Sequence, residues 1–432
     1  MLIRLFLVNS WSHVNYLLVF LIFLFGGLVP LTIREFSFVL FFDTLSLSLI
    51  VLTCFLMALI LLGRVRILKK LDFFYSSVLF FLLVSLVIRF SINRFFWFYF
   101  SFEFSLIPTF LLIMGWGYQP ERLQAFIYFF FYTLFASLPL LVLIVQISGE
   151  FGGGFISFSI PPLGINHISF IYFFFFLAFL VKLPVYLAHL WLPKAHLEAP
   201  VPGSIILAGI LLKLGGYGLY RVAPLAKSLF SLLGCYMYSL RMVRIAFVGV
   251  ICMRIGDIKA LVAYSSVAHI GFLICGIFSY LYRRFIGGLV LMISHGVRSS
   301  GLFYGVNVIY ERLRTRSMFL VRGVAHHLPS ISLLIFLLTC SNFSAPPFIN
   351  LFSELQLIWG TLRYSVLMLF IFPLGSFLGV VFRMYFFSRT QHGKRVSYVS
   401  GLFSANMLEL HVLLYHVSIL VILVPLYRYM FY

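Results

Sequence analysis

Residues 177–203 read LAFLVKLPVYLAHLWLPKAHLEAPVPG and place one lysine, Lys182, inside a run of leucine, phenylalanine, valine and tyrosine. Pro184 follows two residues later, and a proline inside a helix removes one backbone donor and clashes with the carbonyl four residues earlier. Within a membrane, free carbonyls and an ammonium group are tolerated only where protein or water satisfies them. The stretch therefore predicts a broken membrane helix that lines a polar interior.

The composition of the whole chain is that of a membrane protein. Of its 432 residues, 63% are hydrophobic and only 10% are charged, and the mean hydropathy is +1.11. Soluble domains carry about 25% charged residues. Apolar runs of about 18 residues or more, which suffice to cross about 30 Å of hydrocarbon, recur from end to end. We predict one all-α polytopic bundle of about 13–14 transmembrane helices and no soluble domain.

The pattern of apolar runs and basic loops predicts the organisation of the chain. We divide it into N-terminal helices (1–71), a first repeat (72–224), a second repeat (225–388) and a C-terminal loop and helix (389–432). Lysine and arginine are concentrated in three loops that should share the side on which the chain is made, namely 63–71, 310–330 and 389–406. The predicted helices lie near 15–32, 38–62, 72–90, 94–114, 122–147, 167–192, 201–224, 228–253, 258–280, 285–309, 331–350 (continued by 351–362 after a break), 364–388 and 407–428.

Several function classes find no support in the sequence. The 5 cysteines stand singly, without a CxxC pair or a histidine at metal-ligand spacing, which argues against disulfides and metal sites. No GxGxxG or GxxxxGK[ST] motif indicates nucleotide binding. The net charge of +20 is carried beside membrane helices, where it marks topology rather than binding of nucleic acid. The N-terminus lacks both kinds of cleavable presequence and is expected to be retained.

Ionisable residues inside the predicted membrane helices form the candidate site. A charge at the centre of a membrane helix costs about 2.5–3.5 kcal/mol, so such residues are rare and mostly functional. Two alternatives stay open: a lysine can extend to the membrane surface, and a histidine can be a hydrogen-bonded core residue. Lys182 lies about ten residues, roughly 15 Å, from the nearer end of its predicted helix, which is too deep for the first alternative. The candidates are Glu103, Lys182, Lys213, His269, His295 and Glu354.

Spacing and prolines add to this set. Four residues recur at the period of a helix and predict one polar face on an apolar helix, namely Lys182, Tyr186, His189 and Pro193. Pro346 and Pro347 precede Glu354 and predict a second broken helix. An ionisable residue beside a broken helix in each half of the chain indicates an inverted-repeat transporter.

The chemistry that these residues support is proton movement. A carboxylate near an ammonium group at low dielectric couples the protonation of the two groups. The sequence holds no nucleophile constellation, metal cluster or phosphate loop that would support another reaction. We predict a half-channel to Lys182, a hydrated lateral path through His269 and His295, and an exit near Glu354.

Four longer segments resemble a known family: WLPKAHLEAPVPGSIILAGILLKLGGYGLYR (191–221), GDIKALVAYSSVAHIGF (256–272), FSLIPTFLLIMGWGYQPERLQAFIYFFFYTLFASLPLL (104–141) and ISHGVRSSGLFYGVNVIYER (293–312). They are similar to the antiporter-like proton-pumping subunits of respiratory complex I, the mitochondrial NADH–ubiquinone oxidoreductase, and among these to the subunit 4 family. The resemblance runs from about residue 94 to 388 and implies two inverted five-helix repeats with broken helices. By motif match it implies a paired glutamate and lysine (Glu103, Lys182), a connecting lysine (Lys213), central histidines (His269, His295) and a terminal glutamate (Glu354).

The resemblance also implies where the redox chemistry lies. Oxidation of NADH, flavin, iron–sulfur clusters and ubiquinone would belong to other subunits of the NADH:ubiquinone reductase, which leaves no cofactor and no metal on this chain. Its partners would be other membrane subunits of complex I, including sister antiporter-like subunits, together with the lipid bilayer, protons and internal water, and no nucleic acid. The chain would be a multi-pass protein of the mitochondrial inner membrane and part of the respiratory chain.

Two alternative functions stay open, and the sequence departs from the pattern of the family in two places. A stand-alone cation/proton antiporter would use the same fold, and a structural scaffold would carry the ionisable residues without using them.

The region before residue 38 holds one predicted helix where longer relatives have two. Arg298 lies three residues after His295. A buried arginine there would lower the affinity of the histidine for a proton unless an anion is its partner, and the sequence does not name one.

Overall fold

The computed structural model describes residues 40–63, 72–151, 165–185, 188–223, 227–278, 282–364, 368–393 and 405–431. These residues form mainly helices, and isolated bridges join Leu40 to Ile92 and Asp257 to Ser317. In chain order the helices are α1 Thr44–Gly63, α2 Asp72–Ser91, α3 Phe95–Phe104, α4 Leu106–Trp116, α5 Arg122–Phe151, α6 Ile165–Lys182, α7 Trp191–Glu198, α8 Val201–Val222, α9 Lys227–Arg254, α10 Ile258–Phe278, α11 Tyr282–Leu313, α12 Val324–His327, α13 Pro329–Asn342, α14 Ile349–Tyr364, α15 Met368–Gln391 and α16 Met407–Phe431.

The fold is an all-α membrane protein, as the sequence predicts. Eight segments within the described residues are long and apolar enough to cross a membrane, and α13 is a shorter apolar helix. The membrane segments of α8 and α10 are 94% buried, whereas those of α5 and α16 are 39% buried. The first two therefore form the interior of the protein, and the last two present an apolar side to their surroundings. The predicted helix near 15–32 lies outside the described residues.

The described residues form two compact units that divide between Phe230 and Ser231. Helices α1 to α8 belong to the first unit, and α10 to α15 with most of α16 belong to the second. The assignment of residues 72–224 and 225–388 as inverted five-helix repeats stays a prediction.

The helix predicted at 167–192 ends earlier than expected, at Lys182. Pro184 lies in the turn that follows, and a separate helix begins only at Trp191. Proline disfavours the helical conformation of the residue before it and cannot donate a backbone hydrogen bond, so α6 stops at this point. The prediction of one continuous polar face is wrong, because α6 ends at Lys182 and His189 lies in the turn between the two helices. Tyr186 lies outside the described residues.

The second predicted break, at Pro346 and Pro347, is confirmed and is wider than expected. The helix predicted at 331–350 ends at Asn342, and α14 begins at Ile349. The two prolines lie in the intervening turn and are joined by a cis peptide bond. Each unit therefore contains at least one helix that is interrupted beside a candidate residue.

Close packing of two helices positions the lysines of the first unit. Gly215 and Gly218 of α8 face α6, and a Cβ atom on Gly215 would lie 2.9 Å from both the carbonyl oxygen of Phe179 and Cγ of Leu183. Small residues let membrane helices approach until their backbones touch. The helix that carries Lys213 consequently lies against the last turn of α6, which carries Lys182.

We expect Gly215→Val to destabilise the fold by about 1–3 kcal/mol, the usual effect of overpacking a closed core. The obstructing carbonyl of Phe179 belongs to the backbone and has no rotamer that would make room. The yield of monodisperse protein extracted in mild detergent measures the effect. Gly115→Val is the matched control, since a Cβ atom there meets nothing within 4 Å. Equal yields of the two variants would contradict the close packing of α6 on α8.

Candidate functional site

Lys182 ends α6 and turns its ammonium group toward α3. The residue is buried, and its Nζ donates a hydrogen bond to the carbonyl oxygen of Phe102 at 3.2 Å. Nζ also lies 2.9 Å from the centroid of the Phe102 ring, a position in which the ring stabilises a cation. Phe102 packs edge-on against Phe179, which fixes α3 against α6 at this level. Because α6 ends at Lys182, the ammonium group of this lysine reaches Phe102, the residue that precedes Glu103.

A second cation, Arg89 of α2, approaches the same ring. Its guanidinium carbon lies 4.1 Å from the centroid of Phe102 and 5.2 Å from that of Phe98. Its Nη1 donates a hydrogen bond to Oγ of Ser105 at 3.4 Å. Arg89 is fully buried. The Phe102 ring is therefore contacted by two positive groups that arrive from different helices.

Glu103, the residue after Phe102, is an anion near these cations. Both Arg89 and Lys182 interact electrostatically with its carboxylate. Its two carboxylate oxygens are nevertheless buried and have no hydrogen-bond partner among the described residues. A buried carboxylate without a donor is unstable until it gains a proton or another donor. The carboxylate of Glu103 is therefore a buried ionisable group that no described hydrogen-bond donor satisfies.

Lys213 lies in the interior of the same unit. It follows a π-helical turn of α8, Leu207–Leu211, and its Nζ donates a hydrogen bond to the carbonyl oxygen of Ala208 in that turn. A π turn interrupts the regular hydrogen-bond ladder of an α-helix. The ammonium group thereby helps to satisfy a carbonyl within a helix that is almost entirely buried.

The second unit brings three of the sequence-predicted residues together. Nδ1 of His269 on α10 lies 3.4 Å from Oε1 of Glu354 on α14. The imidazole rings of His269 and His295, the latter on α11, have centroids 6.1 Å apart. Glu354 is thus a direct neighbour of the first histidine rather than a group beyond the second.

Two arginines complete this cluster. Arg383 of α15 contacts Nε2 of His269 through Nη2. Arg298 of α11 donates hydrogen bonds from Nη1 to the carbonyl oxygens of Ser341 and Asn342, at 3.2 and 3.3 Å. Both guanidinium groups are also attracted by the carboxylate of Glu354.

The structure identifies the partner of Arg298, which could not be identified from the sequence. Ser341 and Asn342 end α13, where the last carbonyls of a helix have no partner of their own and carry partial negative charge. Asn350, at the start of α14, also donates to the carbonyl oxygen of Ser341. Arg298 therefore stabilises the broken end of a helix, and Glu354 supplies the anion nearby.

Sequence reasoning missed Arg89 and Arg383 as members of the two clusters. Both lie in apolar stretches, VSLVIRFS and LGVVFRMYF, and both are buried. The signal that singled out Lys182, a full charge within an apolar run, was present in each case. It was overlooked because basic residues near the ends of membrane helices were assigned to topology.

Comparison with known proteins agrees with the resemblance seen in the sequence. A family model described as NADH:quinone oxidoreductase/Mrp antiporter, TM, matches residues 93–379. NADH-ubiquinone oxidoreductase chain 4 of Ceratitis capitata is 41% identical over 383 residues, which cover 88% of this chain and 85% of the relative. The chain 4 protein of Rhipicephalus sanguineus is 37% identical over 417 residues, which cover 95% of this chain and 94% of the relative.

Solved structures share the fold. A chain of respiratory complex I from Thermus thermophilus with bound NADH superposes with a TM-score of 0.84 at 23% identity, covering 96% of this chain and 90% of that one. A chain of the Mrp complex from Dietzia sp. superposes with a TM-score of 0.85 at 15% identity, covering 100% and 90%. From the family match and the identity to its relatives, the chain belongs to the NADH:quinone oxidoreductase/Mrp antiporter family, and within it to the chain 4 proteins of NADH-ubiquinone oxidoreductase.

Proposed function

We propose that the chain translocates protons across the mitochondrial inner membrane as a subunit of NADH–ubiquinone oxidoreductase. The observation that carries the proposal is the buried carboxylate of Glu103, which has two neighbouring cations and no hydrogen-bond donor among the described residues. Such a group changes its affinity for a proton whenever one of the cations moves. The membership of the chain in an antiporter-like family agrees with this use.

In the first unit, Lys182 is the cation whose position can change. It ends a half-helix that is interrupted at Pro184, so a small tilt of α6 changes the distance between its ammonium group and Glu103. With an effective dielectric constant of about 20, widening a pair of charges from about 4 to 8 Å weakens their attraction by roughly 2 kcal/mol. This change corresponds to more than about tenfold in the affinity of the carboxylate for a proton. When Lys182 approaches, Glu103 releases its proton. When Lys182 moves away, Glu103 takes up a proton.

In the second unit, His269 and Glu354 form the corresponding proton donor and acceptor. Nδ1 of the imidazole lies next to Oε1 of the carboxylate, and the ring of His295 is the next imidazole in the cluster. The path predicted from the sequence, a half-channel to Lys182, a lateral path through His269 and His295 and an exit near Glu354, is part of the proposal.

The proposal assigns the redox chemistry to other subunits. Oxidation of NADH, the flavin, the iron–sulfur clusters and ubiquinone belong to partner chains, and sister antiporter-like subunits adjoin this one in the membrane. Among the described residues, no three histidine, cysteine, aspartate or glutamate side chains are grouped as metal ligands. The chain 4 proteins named above come from animals, which supports a mitochondrial location.

A second candidate function is a stand-alone cation/proton antiporter, favoured by the likeness to a chain of the Mrp complex. Extraction of the native membranes in mild detergent separates the two. We expect the chain to co-purify with an assembly that oxidises NADH, reduces quinone and acidifies the interior of inside-out vesicles. A chain that purifies alone and exchanges cations for protons without NADH would establish the antiporter instead.

A further inference from the structure

The contact between Arg383 and His269 fixes the protonation state of the imidazole. A guanidinium group donates hydrogen bonds and accepts none, so Nε2 of His269, which it contacts, must offer a lone pair. A neutral imidazole carries a proton on one nitrogen only, and here that nitrogen is Nδ1, which faces Oε1 of Glu354 at 3.4 Å. His269 is consequently neutral with its proton on Nδ1, which lies 3.4 Å from Oε1 of Glu354 without forming a hydrogen bond to it.

In this state the histidine cannot relay a proton. Transfer from Nδ1 to Glu354 would leave an imidazolate unless Nε2 had first accepted a proton, and Nε2 is covered by Arg383. We propose that Arg383 is a positioning residue that holds His269 in a closed state and opens the relay by leaving Nε2. The proposal rests on the function proposed above.

The open state follows from the charges of the cluster. While Glu354 is ionised, its carboxylate attracts Arg383 and provides an alternative position for it. Once Arg383 leaves, Nε2 accepts a proton from a hydronium ion, which becomes water, and Nδ1 passes its own proton to Oε1 of Glu354, which becomes a neutral carboxylic acid. The imidazole is again neutral, with its remaining proton on Nε2, and Arg383 regains its place when the ring turns and presents the unprotonated nitrogen to it.

The two arginines differ in how firmly they are held. Arg298 donates two hydrogen bonds to backbone carbonyls at the end of α13. Arg383 contacts only His269 by hydrogen bonding, and its Nε is without a hydrogen-bond partner among the described residues. The guanidinium group of Arg383 is therefore the one that can move, while that of Arg298 stays with the helix end.

The test is a measurement of proton leak in liposomes that contain the whole complex. After NADH is exhausted, the pH gradient decays, and we expect Arg383→Met to accelerate this decay by on the order of tenfold because the relay is no longer closed. Arg383→Lys keeps a positive donor and should restore a slow decay. In the His269→Gln background, Arg383→Met should add nothing, since the leak runs through the imidazole. Arg389→Met, a change of an exposed arginine on the same helix, is the matched control.

Two outcomes overturn the proposal. An unchanged leak in Arg383→Met, or a leak that persists when His269 is glutamine, shows that Arg383 does not act through His269. If Arg383→Met does not assemble, Arg383→Leu provides the same comparison, since it also removes the hydrogen-bond donor from Nε2 of His269. Failure of the proposed function would look different, because the wild-type complex would then build no pH gradient with NADH or would keep it fully when Glu354 is replaced by glutamine.

Discussion

Lys182→Met is expected to lower NADH-driven proton transport by on the order of 100-fold while the complex still assembles. The substitution removes the ammonium group beside Phe102 and keeps the length of the aliphatic chain. Removing one partner of a buried charge pair costs about 3–5 kcal/mol, and about 1.4 kcal/mol corresponds to a factor of ten in rate. Among the described residues, Glu103 would then retain Arg89 as the cation that interacts with it, and movement of α6 could no longer switch it.

Acidification of inside-out vesicles per NADH oxidised measures this effect. Lys194→Met is the matched control, because Lys194 is an exposed lysine of the neighbouring helix α7 whose ammonium group lies over the ring of Tyr128. Its substitution should leave transport within about twofold of the wild type. Normal pumping by an assembled Lys182→Met complex would show that the chain serves as a scaffold, which is the structural alternative raised by its sequence.

Glu354→Gln is expected to cause a loss of similar size and also to destabilise the second unit. The carboxylate attracts Arg298 and Arg383 and lies beside His269, so its neutralisation leaves two buried guanidinium groups without the anion that they share. Breaking a buried ionic cluster by removal of one partner typically costs about 3–5 kcal/mol. We expect both the number of protons moved per NADH and the thermal midpoint of the detergent-solubilised complex to fall.

Glu311→Gln serves as the control for this second variant. Glu311 lies at the end of α11 and accepts a hydrogen bond from Nδ2 of Asn307 at 2.6 Å, a role that glutamine can take over. A loss confined to Glu354→Gln would support the proposed acceptor. Equal and full pumping in both variants would contradict any part of Glu354 in the transfer of protons.

The sequence was sufficient to predict the membrane fold and the candidate groups, because both depend on local composition. An apolar run with one charge is visible in the sequence, as at Lys182 and Glu103. Proline also acts locally, so the two breaks could be predicted near Pro184 and Pro346. The extent of each interruption was misjudged, since helix ends depend on packing and on which carbonyls find partners.

The grouping of side chains could not be predicted in the same way. That Arg383 reaches His269 depends on how α15 packs against α10, and the sequence separation of the two residues carries no information about it. The partner of Arg298 could not be identified from residue types at all, because it consists of the backbone carbonyls of Ser341 and Asn342. Because these carbonyl oxygens belong to the backbone, the types of the side chains do not reveal them as partners of an arginine.

The ring of Phe102 has a consequence that charges alone do not reveal. The guanidinium group of Arg89 and the ammonium group of Lys182 both lie over this ring, and the carbonyl oxygen of Phe102 binds the ammonium group. An uncharged aromatic side chain thus attracts two like charges to one site. A smaller residue there would remove this attraction, and the electrostatic environment of Glu103 would change without the alteration of a single ionisable residue.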